Sequence, residues 1–132
     1  MLSRWIGYAA MALIGAALAH AVANKAGKEI EKQFELIMFE TSLCNHCAVF
    51  DDEVAKLYKS HSLAQMVPMV KVNLDEVGTG RYHLNKPIQM VPTFVVMQNG
   101  KEVGRISGMV NKFAFLAFVR DKLYPTTKIA KK

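Results

Sequence analysis

The sequence predicts an α/β domain in which helices flank a mixed four-stranded sheet, in the order β-α-β-α-β-β-α. Short apolar runs rich in β-branched and aromatic residues alternate with a long amphipathic segment, which is the pattern of strands joined through a helix. The pair Asn99-Gly100 separates the last two runs and is typical of a type I′ hairpin turn. A second amphipathic segment follows that hairpin, so helices and strands must pack as layers around one core.

The first strand and the first helix follow one another directly. Residues Phe34 to Phe39 form a short apolar run that predicts a buried strand. From Cys44 to about Ser60, apolar residues recur every three or four positions and charged residues occupy the opposite side. This spacing predicts an amphipathic helix that begins at the first cysteine.

The second strand is expected at Val67 to Leu74, where an apolar run resumes. Because a helix joins it to the first strand, the two strands should be parallel and the crossover right-handed. The segment from Asp75 to Asn85 contains two glycines and predicts a loop with one short helix.

A hairpin and a last helix complete the domain. Thr93 to Gln98 and Lys101 to Ser107 are the two strands of the hairpin, and Gly104 inside the second strand suggests a bulge. The segment from Asn111 to Leu123 has an apolar face, with Asn111 as the expected N-cap.

The first 23 residues predict a secretory signal peptide. Arg4 precedes an apolar run, and Ala21-Val22-Ala23 has the small-x-small form of a cleavage site. The run is shorter than the roughly 20 residues that span a membrane. We therefore expect a periplasmic protein, with an uncleaved leader acting as a membrane anchor as the open alternative.

The rest of the chain divides into a polar linker at 24–33, a single domain at 34–124 and a basic tail at 125–132. Much of the excess in the net charge of +6 lies in that tail, which we interpret as solvated. Export separates the protein from nucleic acid, so no nucleic-acid partner is expected. We expect a monomer.

The two cysteines of the chain lie in the segment Cys44-Asn45-His46-Cys47. A helix N-terminus and the adjacent imidazole both favour a thiolate at the first sulfur, and the thiolate is the nucleophile of disulfide exchange. A bridge across so short a loop contributes little as a structural staple. The pair therefore predicts a redox-active site that needs no cofactor.

The two sulfurs are expected to play different roles. Cys44 should lie at the exposed helix end and attack, whereas Cys47, one turn in, should be buried and resolve the mixed disulfide. His46, together with Asn45, is expected to tune the couple. An imidazole beside the thiolate stabilises the reduced form and makes the disulfide a stronger oxidant.

The order of motifs resembles the thioredoxin superfamily over about Phe34 to Tyr124. A strand runs into C-x-x-C, and Val91-Pro92-Thr93 then precedes the hairpin, with Gly108 ahead of the final helix. The resemblance implies a thioredoxin-like fold and thiol–disulfide oxidoreductase activity. It also implies a cis Pro92 against the redox sulfurs, with Val91, Pro92 and Thr93 as substrate-binding residues.

Export, a missing first β-α unit, Glu40 shortly before the first cysteine and a short last helix are similar to the SoxS-type periplasmic thioredoxins of bacterial sulfur oxidation. That similarity implies protein thiols or disulfides as partners, a sulfur-carrier protein among them, and an upstream membrane electron donor. It favours reduction of the partner, whereas His46 favours oxidation.

Two positions depart from the thioredoxin pattern. Met38 stands where thioredoxins carry a buried aspartate, and Leu43 stands where they carry a tryptophan. Glu40 projects to the same side of the strand as Met38, because strand side chains alternate, and is a candidate substitute for the acid. Lys71 stands where thioredoxins keep a lysine near that acid, so a Glu40–Lys71 pair is expected.

Two other functions stay open. Cys44, Cys47 and His46 could bind or deliver a metal, although closed structural zinc sites use four ligands. A non-catalytic thioredoxin-like binding protein is the second alternative, and the intact cysteine pair argues against it. The interpretation that we adopt assigns no metal.

Overall fold

The computed structural model describes Lys25 and residues 33–125. The expected signal peptide, nearly all of the expected linker and the tail beyond Pro125 lie outside the described residues. In the described part, no helix is long and apolar enough to cross a membrane.

The strands are β1 (Phe34–Glu40), β2 (Met69–Asn73), β3 (Thr93–Gln98) and β4 (Lys101–Ser107). The α-helices are α1 (Asn45–Phe50), α2 (Lys56–Ser60), α3 (Ser62–Met66) and α4 (Lys112–Leu123), and a π-helical segment, Asp51–Ala55, joins α1 to α2.

The four strands form one mixed sheet in the order β2-β1-β3-β4. β1 is parallel to β2, and β3 runs antiparallel to both β1 and β4. At the centre of the sheet, Met38 lies opposite Lys71 on one side and Phe94 on the other. The predicted mixed four-stranded sheet is therefore confirmed, including the parallel pair that the crossover required.

One face of the sheet is covered by all the described helices. An aromatic cluster joins them to the strands, because the ring of Phe50 in α1 lies 4.3 Å from Phe94 of β3 and 5.0 Å from Phe115 of α4. Tyr58 of α2 packs edge-on against Phe115 at 5.2 Å, and its hydroxyl donates to the carbonyl oxygen of Val67 at 2.6 Å. Burial of each aromatic side chain contributes on the order of 2 kcal/mol.

The opposite face is covered by turns rather than by a helix. Ile37, Phe39 and Val95 form a second buried cluster, which Tyr82 and Ile88 cover from the segment between β2 and β3. The short helix predicted within 75–85 is therefore wrong. The reason is local, since Gly78 has a positive φ of 64°, which ends a right-handed turn.

The predicted helix from Cys44 to about Ser60 is confirmed in extent but not in regularity. Its central turn is the π-helical segment, and a break with extended backbone at His61 (φ −81°, ψ 148°) separates α2 from α3. The imidazole Nδ1 of His61 accepts a hydrogen bond from the amide of Leu63 at 3.1 Å and so caps α3. Neither feature was predicted.

The hairpin and the last helix have the predicted bounds within one residue. Asn99 and Gly100 both have positive φ values, of 50° and 77°, as a type I′ turn requires. In the β3–β4 ladder Val96 pairs with Gly104 and Met97 pairs with Glu102, so Val103 is the extra residue of a bulge. The bulge suggested by Gly104 is thus confirmed.

Candidate active site

Cys44 and Cys47 form a disulfide with an S–S distance of 2.10 Å at the start of α1. Cys44 is the N-cap residue with extended backbone, and its sulfur accepts a hydrogen bond from the amide of Cys47 at 3.1 Å. Cys47 points into the core and is only 4% exposed, whereas Cys44 is half-buried. Of the two cysteines, Cys44 is therefore the more accessible to solvent.

The surroundings of the pair favour a negative charge on sulfur. The first turn of α1 contains no acidic residue, and its free amides present the positive end of the helix dipole. Asn45 and His46 lie between the two cysteines and are both exposed. The structure thus leaves His46 open to solvent beside the sulfurs, with no hydrogen-bond partner found for it among the described residues.

The segment before β3 forms a pinned loop. The Val91–Pro92 bond is cis, as the resemblance implied, and Pro92 is buried. The carbonyl oxygen of Pro92 accepts a hydrogen bond from the amide of Gly108 at 2.8 Å. The hydroxyl of Thr93 donates to the carbonyl oxygen of Met90, also at 2.8 Å. The bond from Gly108 fastens the loop to the residue after β4, and the bond from Thr93 closes the turn within it.

The sheet brings this loop and the cysteine pair to the same end of the molecule, because Phe39 near the end of β1 pairs with Thr93, the residue after Pro92. Val91 and Cys44 are both partly buried and pack against the buried cluster that contains Cys47. Around them the surface carries exposed apolar side chains. Leu43, which replaces the expected tryptophan, is 95% exposed, and Met90 and Met109 are more than half exposed.

An ion-paired group of three charges lies at the end of β1. The Nζ atom of Lys71 is 3.0 Å from Glu40 Oε2, so the expected pair is present, and it is 2.7 Å from Asp51 Oδ2. Partial burial of the ammonium works against its charge, but the hydrogen bonds to Asp51 and Glu40 outweigh it and raise the pKa of Lys71. Asp51 was missed at the sequence level because it was assigned to the polar face of a regular helix.

The replacement of the buried aspartate has a clear geometric consequence. Met38 is fully buried and lies opposite Lys71, so it offers no acceptor on this face of the sheet. Glu40 follows two residues later on the same face and keeps a side chain that is 20% exposed. The carboxylate on this face therefore lies at the end of β1, where solvent can reach it.

The arrangement can carry two electrons in one S–S bond without any other group. Among the described residues, no group of three or more His, Cys, Asp or Glu side chains is placed to hold a metal ion. Two cysteines in one turn of helix, one half-buried and one buried, can exchange their disulfide with a second protein. The exchange proceeds through a mixed disulfide between the two proteins.

Comparison with known proteins agrees with this chemistry. The sequence model of the thioredoxin family matches residues 17–121. The periplasmic thioredoxin SoxS from Paracoccus pantotrophus, solved in its reduced form, is 26% identical over 69% of this chain and 96% of its own, with a TM-score of 0.62. Fasciola hepatica thioredoxin is 26% identical over 78% of this chain and 93% of its own, with a TM-score of 0.55. No curated protein matches the chain. On its fold, its Cys44–Cys47 disulfide and its family match, the chain is a thiol–disulfide oxidoreductase and belongs to the thioredoxin family.

Proposed function

We propose that the protein works in the periplasm, where it exchanges electrons with cysteines of exported partner proteins through Cys44 and Cys47. The observation that carries the proposal is the unequal burial of the two sulfurs, with Cys44 half-buried and Cys47 4% exposed. A partner can react with the first sulfur, and the second is held back for the intramolecular step.

In the reducing direction, the Cys44 thiolate attacks a partner disulfide, and the partner's S–S bond breaks as a mixed disulfide forms. One partner thiolate leaves and takes up a proton. The Cys47 thiolate then attacks the sulfur of Cys44, which releases the second partner thiolate and forms the Cys44–Cys47 disulfide. Two electrons have moved to the partner, and an upstream membrane donor restores the dithiol.

Glu40 is the group that we assign to the proton of Cys47. It is the carboxylate on the same face of β1 as Met38, and Lys71 holds its Oε2 atom at 3.0 Å. A carboxylate that accepts the thiol proton raises the fraction of Cys47 that is ready to attack. In this assignment Val91, Pro92 and Thr93 form the loop along which an extended partner segment binds.

The pathway and the direction are also part of the proposal. The 26% identity to the periplasmic thioredoxin SoxS supports a periplasmic location. A role in sulfur oxidation, with a sulfur-carrier protein as partner, is the extension of that similarity that we propose. We favour reduction of that partner by the monomeric protein. His46 is the feature that favours oxidation, because an imidazole next to the thiolate stabilises the reduced form.

The decisive experiment is a trap. Cys47→Ala leaves Cys44 able to attack and removes the thiol that resolves the mixed disulfide, so partners expressed in the same periplasm should accumulate on Cys44. Cys44→Ala is the matched control, since it keeps one cysteine but only the buried one, and should capture nothing. Equal capture by both variants, or by neither, would contradict the proposed exchange.

The direction of electron transfer is tested by the reduction potential of the cysteine pair. Equilibration of the Cys44–Cys47 couple with glutathione gives its reduction potential, and a reducing role predicts a value nearer that of thioredoxin, about −270 mV, than that of the oxidase DsbA. A potential above about −150 mV would instead favour oxidation of the partner.

A further inference from the structure

We infer that Glu102 and Arg105 of β4 are positioning residues that hold the segment ahead of Pro92 in the place where a protein partner binds. Residues 88–92 are called the Pro92 loop below. The inference rests on the proposed function, because it assumes that a partner chain lies along this loop. It assigns to the pair a role in the recognition of macromolecular disulfides and none in the sulfur chemistry.

The bulge in β4 is what brings the two side chains together. In a regular strand, residues three apart project to opposite faces. Because Val103 is inserted, Glu102 pairs with Met97 while Arg105 pairs with Val95, and Met97 and Val95 both belong to the cluster on the turn-covered face. Directly paired residues share a face, so both charged side chains project toward the segment that precedes the Pro92 loop.

The two side chains form an ion pair with each other and hydrogen bonds with the backbone of residues 85–87. Arg105 Nε lies 2.6 Å from Glu102 Oε1, and Arg105 Nη2 lies 2.7 Å from Glu102 Oε2, which is a bidentate pair. The same guanidinium donates to the carbonyl oxygens of Lys86 at 2.8 Å and Pro87 at 3.2 Å. Glu102 Oε2 in turn accepts the amide of Asn85 at 2.7 Å. Backbone groups of three consecutive residues, 85–87, are therefore held by one ion pair.

Burial makes this arrangement costly to break. The side chain of Glu102 is 3% exposed and that of Arg105 is 13% exposed. A charge removed from water to this degree is retained only when it is paired and hydrogen-bonded, and loss of one partner leaves the other unsatisfied. The pair can therefore hold the segment in one place, unlike the more exposed pair of Asp121 and Lys122.

The Pro92 loop is thus held by hydrogen bonds at both of its ends. At its far end, the hydroxyl of Thr93 and the amide of Gly108 bind the carbonyl oxygens of Met90 and Pro92. At its near end, the ion pair binds residues 85–87. Thr93 and Glu102 are the buried polar residues of the described part of the chain, and each of them forms hydrogen bonds at one of these two ends.

A substrate comparison tests the inference. Dithiothreitol-driven reduction of insulin requires a peptide to lie against the loop, whereas the small aromatic disulfide 5,5′-dithiobis(2-nitrobenzoic acid) needs only Cys44. We expect Arg105→Met to raise the KM for insulin about tenfold, with kcat and the rate toward the small disulfide within about twofold of wild type. Arg105→Lys keeps the charge but loses the fork that reaches both carbonyls, and should raise that KM about threefold.

The control is Asp121→Asn, which removes an exposed pair on α4 and should leave all constants unchanged. Circular dichroism verifies that each variant is folded, and if Arg105→Met does not fold, Arg105→Lys decides by the same criterion. An insulin KM within about twofold of wild type overturns the inference, and so does a proportional loss toward both disulfides, which would indicate a merely structural role. A wild-type protein inert toward both disulfides overturns the proposed function itself.

Discussion

At the scale of single residues, the position of one carboxylate separates this chain from the thioredoxin pattern. Met38 removes the buried acid, and Glu40 returns a carboxylate two residues later, where Lys71 holds it at 3.0 Å and Asp51 shares the ammonium. The Cys44–Cys47 pair, Pro92 and the Glu40–Lys71 contact could be predicted from the sequence because they depend on motif and strand alternation. Asp51 could not, because its approach to Lys71 depends on the π-helical turn.

The assignment of Glu40 gives the first prediction. In the proposed assignment, Glu40→Gln removes the proton acceptor without altering size, so release of a partner peptide from its mixed disulfide with Cys44 should slow about tenfold or more. Stopped-flow measurement of that release between pH 6 and 9 provides the test. Glu35→Gln, an exposed change in the same strand, is the control. Equal release by wild type and Glu40→Gln throughout that pH range would remove Glu40 from the mechanism.

At the scale of elements, the elements predicted correctly are those that turn and cap residues specify locally. The β3–β4 hairpin and α4 follow from Asn99-Gly100 and the Asn111 cap, which act through neighbouring backbone alone. The helix predicted within 75–85 does not form, because Gly78 takes a positive φ. Tyr82 and Ile88, which lie in turns, cover the apolar cluster on that face of the sheet instead. The two glycines of this segment indicate a loop, but they do not distinguish a turn from one short helix in the rest of it.

The Asn111 cap gives the second prediction. Its side-chain oxygen accepts the amides of Phe113 and Ala114, each at 3.0 Å, and so satisfies two donors at the start of α4. Asn111→Ala should lower the free energy of unfolding by about 1 kcal/mol, measured by urea denaturation of the oxidised protein. Asn111→Asp keeps the accepting oxygen and should stay close to wild type. If both variants lost the same stability, the side-chain oxygen would not be the cause.

At the scale of the whole molecule, the two faces of the sheet have different tasks. The helix-covered face contains the aromatic cluster and seats Cys47 against it, which fixes the reactive end of the chain. The turn-covered face holds the approach to Pro92 through Glu102 and Arg105. The mixed sheet was predictable, but this division was not, because it depends on the bulge at Val103, which moves Glu102 to the other face.

The ion pair of Glu102 with Arg105 couples the turn-covered face to pH. The hydrogen bond from Arg105 lowers the pKa of Glu102 below its ordinary value of 4.5, against the opposing effect of burial, and the amide of Asn85 assists. A lowered pKa in the folded state means that the native protein binds this proton less readily than the unfolded chain. The stabilisation is therefore complete above pH 4.5 and is lost as the pH falls below it.

Glu102→Gln removes this coupling and leaves Arg105 with a neutral partner. At pH 7 the variant should be less stable than wild type by about 1–3 kcal/mol, because the charged hydrogen bonds are replaced by weaker ones. As the pH falls below 4.5 the wild type should lose that advantage progressively, so the two unfolding free energies should approach each other. Urea denaturation across this range measures the difference, with Glu35→Gln as an exposed control. A difference that stays constant as the pH falls well below 4.5 would show that the ion pair does not lower the pKa of Glu102 in the folded protein.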